Sequence, residues 1–372
     1  MDTDAEPTWP DLLGALAVGR DLSGRQAAWA MEQVLSGQAA ASQFGAFVLG
    51  LRAKGETAAE VGALVETMLD HARLLDFGPE GGPVTLDVVG TGGDQAHNVN
   101  ISTMAALVCA AAGVPVVKHG NRAVSSSTGS ADVLQALGVA IDLEPDQVVA
   151  SVREVGIGFC FAPLHHPALR HAAAWRRELG IPTILNTLGP LANPGLADSA
   201  LVGTASAAVA PVMADVLHRR GVRALVVRGE DGLDEISTSA PTRVWDATGS
   251  TVIATTVDAA ELGIAREVRG LLRGGDSARN AELLFAALQA GEPTGVEADR
   301  VAAIRDAVVV NAAAALVAYR AAVSAAGSPD EDLMARISNE LELARAVVEE
   351  GRALALLRRW AAQTAAIRDD AT

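Results

Sequence analysis

Cysteine and aromatic residues are scarce in this sequence. Only two cysteines, Cys109 and Cys160, occur in 372 residues, and both lie in apolar runs, which is typical of buried thiols and does not imply a disulfide framework. Aromatic residues make up 3% of the chain, although 50% of its residues are hydrophobic. The excess consists of Ala, Val and Leu, which suits helices packed on a sheet with small side chains at the contacts.

Long uncharged apolar runs and an excess of positive charge are also missing. No apolar run reaches about 18 residues without a charge, so no membrane partner is expected. The first ten residues are acidic and contain proline, which predicts a flexible tail at residues 1–10 and a cytoplasmic protein without a signal peptide. The net charge of −16 argues against a nucleic-acid partner. An anionic substrate is still allowed, because Mg²⁺ and a few local cations can reverse the potential in one cleft.

Two structural units are expected after this tail. Apolar residues recur at the helical period over residues 11–77, and the capping boxes Ser23 to Gln26 and Thr57 to Glu60 precede apolar runs. We therefore predict an all-helical domain over residues 11–78, which the segment 78–83, rich in glycine and proline, brings to an end. Continuous apolar runs then alternate with helical segments. This pattern predicts an α/β catalytic domain over residues 84–372 with a largely parallel central sheet flanked by helices.

Individual elements of the α/β unit are predicted from the same pattern. Buried strands are expected at residues 85–89, 114–117, 224–227 and 251–254. Helices are expected at residues 103–112, 165–180, 296–320 and 330–366.

The most informative segment lies between residues 87 and 132. Two strand-like runs each lead into a loop rich in glycine and hydroxyl side chains. Gly90, Gly92 and Gly93 allow the backbone to approach a ligand where a Cβ would collide. Ser102 and Thr103 open the helix between the runs, so free backbone N–H groups and the positive end of the helix dipole face the first loop. These features are typical of a site for a sugar that carries several phosphates.

Two cationic residues follow the second run. The segment as a whole fits neither of the two common phosphate-binding motifs, the P-loop and the dinucleotide fingerprint. Lys118 and Arg122 add positive charge there. A P-loop is excluded because no Lys-Ser or Lys-Thr pair follows the glycines. A dinucleotide fingerprint is excluded because Gln95 stands at the place of its third glycine, and Lys118 and His119 stand where an acidic residue is expected. The glycines alone would also fit a tight turn without a ligand.

Several separated motifs together resemble the anthranilate phosphoribosyltransferase family. The core motifs are GTGGD at 90–94, NIST at 100–103, KHGNR at 118–122 and GSAD at 129–132. Further similarity lies in the segment 161–195, in GEDGLDEIS at 229–237, in GGD at 274–276 and in DAVVVNAAAAL at 306–316. The resemblance therefore covers nearly the whole chain.

This resemblance implies a reaction, a fold and partners. The phosphoribosyl group of 5-phosphoribosyl 1-diphosphate (PRPP) would be transferred to anthranilate, giving N-(5-phosphoribosyl)anthranilate and pyrophosphate in tryptophan biosynthesis. The fold would be nucleoside phosphorylase/phosphoribosyltransferase-like, with helices around 165–190 joining the N-terminal helical domain. The resemblance also implies about two Mg²⁺ per active site and a homodimer formed through the N-terminal helices. Association with an anthranilate synthase or amidotransferase stays open.

The resemblance assigns roles to individual residues, none of them a conventional catalytic acid or base. PRPP would be bound by Gly90, Thr91, Gly92, Gly93, Asp94, Asn100, Ser102, Thr103, Lys118, Asn121 and Ser130. Anthranilate would be bound by Gly90, His119, Asn121, His166, Arg176, Gly189 and Pro190. Mg²⁺ would be bound by Ser102, Asp234 and Glu235, because this ion prefers oxygen ligands.

Ordinary structural roles compete with four of these assignments. Lys118, at the end of a strand, fits a solvated surface cation, although the KHGNR motif favours a function for it. Ser102 fits a simple helix N-cap, the Asp234–Glu235 pair fits an acidic surface loop, and Arg176 fits a surface cation like its neighbour Arg177. Two other functions also stay open, a pyrimidine-nucleoside phosphorylase and a non-catalytic paralogue that binds nucleic acid. The KHGNR motif favours the anthranilate enzyme over the first, and the intact acidic pair with the negative net charge opposes the second.

Three positions depart from the family pattern. Gln95 follows Asp94 where glycine is frequent, Ser127 occupies a position that often holds lysine, and Arg228 stands where the family usually has histidine. None of them is among the residues to which the resemblance gives a role.

Overall fold

The structure is a computed structural model, and it describes residues 6–123, 128–267, 270–324 and 331–370. Its N-terminal part is a helical bundle of α1 (Trp9–Ala17), α2 (Gly24–Leu35), α3 (Ala41–Lys54) and α4 (Ala58–Asp70). Both predicted capping boxes are present, at the start of α2 and of α4. The helices end at Asp70, seven residues before the predicted end, and the segment 71–85 contains neither helix nor strand.

A seven-stranded sheet forms the centre of the molecule. Its strands are β1 (Leu86–Gly90), β2 (Val116–Gly120), β3 (Ile157–Phe161), β4 (Ser199–Gly203), β5 (Arg223–Gly229), β6 (Thr242–Asp246) and β7 (Ile253–Val257). The spatial order is β3-β2-β1-β4-β5-β6-β7. The first five strands in this order run parallel, and β6 and β7 run antiparallel to their neighbours. The expected largely parallel sheet is confirmed.

The strand predicted at residues 251–254 overlaps β7 at residues 253 and 254, but its expected burial is wrong. The strand β7 begins at Ile253, lies at the edge of the sheet and is mostly exposed, with 59% of Ile253 accessible to solvent. An apolar run alone cannot distinguish a central strand from an edge strand, because β propensity is similar for both. The other three predicted strands overlap β1, β2 and β5.

Eleven further helices are present in the described residues: α5 (Ile101–Ala111), α6 (Ser130–Ala136), α7 (Pro145–Val155), α8 (Ala162–His165), α9 (Arg170–Leu179), α10 (Leu185–Leu191), α11 (Ala210–Arg219), α12 (Ser277–Leu288), α13 (Ala298–Val323), α14 (Leu333–Glu349) and α15 (Arg352–Asp370).

Two long helices predicted from the sequence are interrupted. The helix predicted at 165–180 begins only at Arg170, because Pro167 lacks a backbone N–H and starts a separate 3₁₀ turn. The helix predicted at 330–366 is two helices, α14 and α15, separated at Gly351, whose φ of 70° lies in the left-handed region.

The two faces of the sheet bury different sets of helices. Alternate residues of β5 belong to different cores: Leu225 and Val227 pack with α5, α13, α14 and α15, whereas Ala224 and Val226 pack with the N-terminal bundle, α10 and α11. This alternation follows from the two-residue period of a strand. The bundle therefore continues the core on one face of the sheet.

Among the described helices, α13 alone has the length and hydropathy of a membrane span. However, 78% of its most apolar window is buried inside the protein, where it contacts α5, α14 and three strands. Such burial is that of the central helix of a folded core.

Candidate active site

The carboxyl ends of the parallel strands form a closely packed edge. The strands β1 and β4 both end in glycine, at Gly90 and Gly203. A Cβ on Gly90 would lie 2.5 Å from Oδ2 of Asp234, and a Cβ on Gly203 would overlap the backbone oxygen of Asp234. The chain turns to opposite sides of the sheet after β1 and after β4, so this edge is a topological switch point, where ligands of open α/β sheets bind.

The glycine-rich loop after β1 lies against this edge. Thr91 donates its N–H to Gly203 O over 2.9 Å, and Gly92 and Gly93 have φ values of 66° and 85°. The loop ends at α5, whose N-cap is Asn100. Ser102 is therefore not the helix N-cap. It lies inside the first turn and is half-buried, and its backbone N–H lowers the pKa of the Glu235 carboxyl.

The Asp234–Glu235 pair comes to the same place from the loop after β5. Oδ2 of Asp234 accepts a 2.7 Å hydrogen bond from the N–H of Gly92, so the acidic loop and the glycine loop are joined directly. Asp234 is buried and Glu235 is half-buried. The ordinary interpretation of this pair as a solvated surface loop is therefore wrong.

Burial and like charge raise the pKa of both carboxyls. Desolvation and the nearby charge of Asp94 raise the pKa of Asp234 to about 7. Desolvation and the charge of Asp234 raise the pKa of Glu235 well above its ordinary value, against the opposing effect of Lys118. Asp94, Asp234 and Glu235 thus repel one another, and among the described residues only the charge of Lys118 opposes that of Glu235, an imbalance that a divalent cation would correct.

Lys118 is one of only two lysines in the chain, and it is 2% exposed. Its Nζ donates to the backbone oxygen of Val88 and lies 3.5 Å from Oγ of Ser102. Burial lowers the pKa of this ammonium, and the charges of Asp87 and Glu235 raise it. A buried cation between the glycine loop and the acidic pair is placed to attract a phosphate-bearing ligand.

Two more of the predicted PRPP-binding residues, Asn121 and Ser130, lie close together after β2. The exposed Asn121 accepts a 3.5 Å hydrogen bond from Oγ of Ser130 through its backbone oxygen. Arg122, expected to add free charge, forms an ion pair with Asp132 at 3.0 Å.

The buried Thr103 lies on the first turn of α5, and its Oγ1 has no partner within the described ranges. Asp94 Oδ1 accepts from the N–H of Ala96 at 3.1 Å.

The residues predicted to bind anthranilate form a second cluster around two buried histidines. The rings of His119 and His166 lie 5.1 Å apart. Nδ1 of His119 lies 2.9 Å from the backbone oxygen of Gly189, and Nε2 of His166 lies 2.9 Å from that of Ala192. A carbonyl can only accept, so Nδ1 of His119 carries the proton. Its Nε2 is then a buried acceptor without a partner among the described residues.

The pKa of His119 determines one pH effect on stability. Burial and the neighbouring His166 lower this pKa to about 3 from 6.5. The group therefore stabilises the fold fully above pH 6.5, and its contribution decreases as the pH falls toward 3. We expect the stability difference between wild type and His119→Asn, in urea unfolding of the apoprotein, to fall by about 2 kcal/mol between pH 6.5 and 5.0. Asp87 and Asp234 have raised pKa values, so their contributions to stability depend on pH in the opposite direction. Both carboxyls are present in wild type and variant, so these contributions cancel in the stability difference. A difference that stays constant over this range would contradict it.

Arg176 forms no hydrogen bond or ion pair with the described residues of the glycine-loop site or of the histidine cluster. It lies on α9, which packs on α2 and α3, and its side chain is half-buried whereas Arg177 is exposed. Burial lowers the pKa of its guanidinium, and no hydrogen bond or ion pair joins it to another residue of the described ranges. A partly desolvated, uncompensated guanidinium suits a carboxylate ligand.

Two buried asparagines that the sequence analysis missed connect the loops of the site. Asn280 of α12 donates to Oδ1 of Asn100 at 3.0 Å and accepts from the N–H of Gly275 at 2.7 Å. Asn193 donates to Oδ2 of Asp87 and to the backbone oxygen of Val117, both at 2.7 Å. The signal for Asn280 was a polar residue in an otherwise apolar helical pattern. The contact of Asn193 has no local signal.

The departures from the family pattern have different structural roles. Gln95 has a φ of 56°, in the left-handed region that glycine adopts without strain, which explains why glycine suits this position. Arg228 donates to the backbone oxygens of Ala205 and Gly229 at 2.9 and 3.2 Å. Ser127 lies outside the described residues.

Comparison with known proteins identifies the family. A family model described as a glycosyl transferase α/β domain matches residues 82–354, and one described as a glycosyl transferase helical bundle domain matches residues 10–72. An anthranilate phosphoribosyltransferase of Salinispora arenicola is 52% identical over 364 residues, which covers 98% of both chains. The chain belongs to the anthranilate phosphoribosyltransferase family. The resemblance inferred from the motifs is thus confirmed, and the protein is an enzyme of the glycosyltransferase class.

Solved structures of this family share the fold. The anthranilate phosphoribosyltransferase of Thermus thermophilus is 35% identical, with a TM-score of 0.82 over 95% of this chain and 99% of that chain. The Saccharomyces cerevisiae enzyme in complex with PRPP and Mg has the same TM-score over 97% and 99%, at 24% identity. The expected α/β fold with an N-terminal helical bundle is confirmed.

The described part of the chain contains no group of three or more His, Cys, Asp or Glu side chains placed to hold a metal ion. This fits Mg²⁺ in phosphate-transferring sites, where the ion keeps several waters and is bound by one or two carboxylates together with substrate phosphates. The crowded acidic pair beside a helix N-terminus is chemically suited to such an ion.

Proposed function

We propose that this chain transfers the phosphoribosyl group of PRPP to the amino group of anthranilate, in tryptophan biosynthesis, at the carboxyl edge of the sheet. The observation that carries the proposal is the hydrogen bond from Gly92 to Asp234, which joins the glycine loop to the acidic pair beside Lys118. These elements combine backbone donors, a buried cation and oxygen ligands at a switch point.

PRPP binds at the glycine loop and the first turn of α5. The positive end of the α5 dipole and the backbone of the glycine loop receive the diphosphate. Asn121 and Ser130 bind the ribose and its 5-phosphate. The remaining contacts with PRPP come from the other residues to which the resemblance assigns PRPP binding.

Ser102, Asp234 and Glu235 would hold Mg²⁺, about two ions per site, because this ion prefers oxygen ligands. When bound, it neutralises the charge that builds on pyrophosphate as this group leaves. The raised pKa of Asp234 and Glu235 supports this assignment, because both carboxylates lack sufficient compensating charge in the protein alone.

Catalysis requires positioning and charge stabilisation more than acid–base chemistry. The bond between C1 of the ribose and the pyrophosphate oxygen breaks, and pyrophosphate takes the bonding electrons. The amine nitrogen of anthranilate forms the new bond to C1 and releases one proton. Lys118 and the positive end of the α5 dipole stabilise the negative charge on the departing group, in a partly buried cleft where such interactions are strong.

Anthranilate binds beside the two histidines. The rings of His119 and His166 give its aromatic ring an uncharged wall, since both pKa values lie well below 7, at about 3 and 4. Gly189 and Pro190 belong to the same wall through the contact of Gly189 with His119. Arg176 pairs with the anthranilate carboxylate, and its lack of another partner among the described residues supports this role.

A direct assay tests the activity. Purified protein, PRPP, Mg²⁺ and anthranilate are mixed, and the loss of anthranilate fluorescence is recorded with and without Mg²⁺. We expect loss of fluorescence that requires both PRPP and Mg²⁺. Phosphorolysis of a pyrimidine nucleoside, or no reaction with tight nucleic-acid binding, would instead favour one of the two alternative functions and overturn this one.

The protein is proposed to act as a cytoplasmic homodimer with two independent sites. Exposed apolar side chains on the N-terminal bundle, Val18 at 74% and Leu49 at 51%, support an interface there. Light scattering at micromolar concentration should give twice the mass of 38.1 kDa. Leu49→Glu should shift the population toward the monomer, while Ile253→Glu, at an exposed position of the edge strand β7, should leave the mass unchanged. A monomer mass for the wild type would contradict the prediction.

A further inference from the structure

Asn311 lies at the centre of the most apolar helix in the protein. It is 0% exposed, and it is surrounded in α13 by Ala, Val and Leu from residue 307 to residue 318, all of them buried. A buried side-chain amide costs free energy unless all its polar atoms are paired. Its retention in such a helix therefore calls for a specific set of partners.

The partners of Asn311 lie in the acidic loop. Its Oδ1 accepts a 2.9 Å hydrogen bond from the N–H of Ile236, and its Nδ2 donates to the oxygen of the same residue at 3.0 Å. Nδ2 also donates to the oxygen of Ala307, one turn earlier in α13, at 2.9 Å. Because a backbone N–H only donates and a carbonyl only accepts, these bonds also determine which way the amide points.

Ile236 is the residue immediately after the Asp234–Glu235 pair. Its side chain is 1% exposed and belongs to the core that contains α13, so both its backbone and its side chain are held. On the other side of the pair, Asp234 accepts from Gly92 and presses against Gly90 and Gly203. The two carboxylates are thus fixed from both ends of a segment that contains no helix or strand.

This arrangement opposes a specific force. Asp234 and Glu235 repel each other and Asp94, and both are buried more deeply than free carboxylates prefer. Without an anchor after Glu235, the segment would relieve this repulsion by moving its carboxylates toward water. Ser237 and Thr242 brace the next turn of the loop through a 2.9 Å bond, but this bond lies beyond Ile236.

We propose that Asn311 is a positioning residue for the metal-binding pair, because its amide pairs with both backbone groups of Ile236. The role rests on the proposed function. Asn311 does not touch substrate or metal; it keeps the two carboxylates at the carboxyl edge of the sheet before Mg²⁺ and PRPP arrive. Preorganisation of this kind lowers the cost of binding.

The test separates donor binding from acceptor binding. In Asn311→Leu, which is similar in size and apolar, both backbone groups of Ile236 lose their partners. Calorimetric titration of PRPP at several Mg²⁺ concentrations should show that the half-saturating Mg²⁺ concentration increases by about ten-fold or more. The KM for anthranilate at saturating Mg²⁺ and PRPP should change by less than about three-fold. An unchanged Mg²⁺ requirement would overturn the proposal.

A destabilised core could imitate part of this result, so Leu316→Ala serves as the matched control. Leu316 is fully buried in the same helix, and its truncation leaves a cavity but removes no hydrogen bond, because its side chain is apolar. It should lower the melting temperature and leave the Mg²⁺ requirement unchanged. If Leu316→Ala shifts the Mg²⁺ requirement as much as Asn311→Leu does, the role of Asn311 is only structural.

Hydrogen exchange keeps the proposal testable if Asn311→Leu does not fold. In the wild-type apoprotein, the amide of Ile236 should exchange slowly, whereas Asn311→Ser should speed exchange in peptides that cover residues 233–238. Fast exchange at Ile236 in the wild type would overturn the inference. The Asp234→Ala/Glu235→Ala variant distinguishes the two levels: if it also leaves the Mg²⁺ requirement unchanged, the metal assignment itself is wrong.

Discussion

Replacing both Asp234 and Glu235 by alanine should lower kcat by about two to three orders of magnitude. These carboxylates are the proposed metal ligands, and without them the charge on the leaving pyrophosphate is not compensated. The apoprotein should fold and even gain thermal stability, because two buried carboxyls with raised pKa values are removed. Addition of Mg²⁺ and PRPP, which should raise the melting temperature of the wild type, should no longer do so.

The same loop supplies a control for the loss of charge alone. Glu230 is an exposed carboxylate four residues before Asp234, and Glu230→Ala should have near-wild-type turnover and the wild-type Mg²⁺ response. Steady-state kinetics over a series of Mg²⁺ concentrations checks both variants. If the double variant retains wild-type turnover at every Mg²⁺ concentration, the acidic pair does not hold the metal.

Arg176→Ala should raise the KM for anthranilate by about ten- to hundred-fold and leave the KM for PRPP nearly unchanged. A hydrogen bond between charged groups is worth about 1.5–3 kcal/mol, which corresponds to this range. The half-buried position of Arg176 and its lack of a partner in the described residues support the assignment. Arg176→Lys should recover only part of the loss, because an ammonium cannot form the two-pronged contact with a carboxylate.

Arg177→Ala on the same helix is the matched control for this series. Arg177 is exposed, so its removal should be nearly neutral in both KM values. Steady-state kinetics on the three variants checks the prediction. A larger effect at Arg177, or a change in the KM for PRPP in place of that for anthranilate, would show that the helix face or the substrate has been assigned wrongly.

The predicted donor residues illustrate how far local sequence carries the argument. GTGGD and NIST are one short loop and one helix start, so their meeting follows from chain connectivity and from the turn that glycine permits. The convergence of Asp234 with Gly92 across 142 residues was inferred only through family resemblance. Nothing in the local pattern of GLDEIS distinguishes a buried acidic pair from a solvated one.

The place of one strand and the interruption of two helices could not be predicted from local sequence, because both depend on neighbouring elements. The strand β7 has a β-forming sequence, but its place at the antiparallel edge depends on the pairing of β5 with β6. Whether a helix continues past Pro167 or Gly351 depends on whether neighbouring elements can absorb the bend.

By itself, the sequence determined the family, the α/β class, the N-terminal helices with their capping boxes, and the residue types of the site, because these depend on periodicity, turn chemistry and motif order along the chain. Only the tertiary structure decided which of these residues are buried, charged or paired. Lys118 became a buried cation, Asp234 a carboxyl with a pKa of about 7, and His119 a neutral ring. Asn311 acquired its partner from the acidic loop, 75 residues away. Desolvation and long-range hydrogen bonds arise from packing between distant segments, which no local pattern encodes.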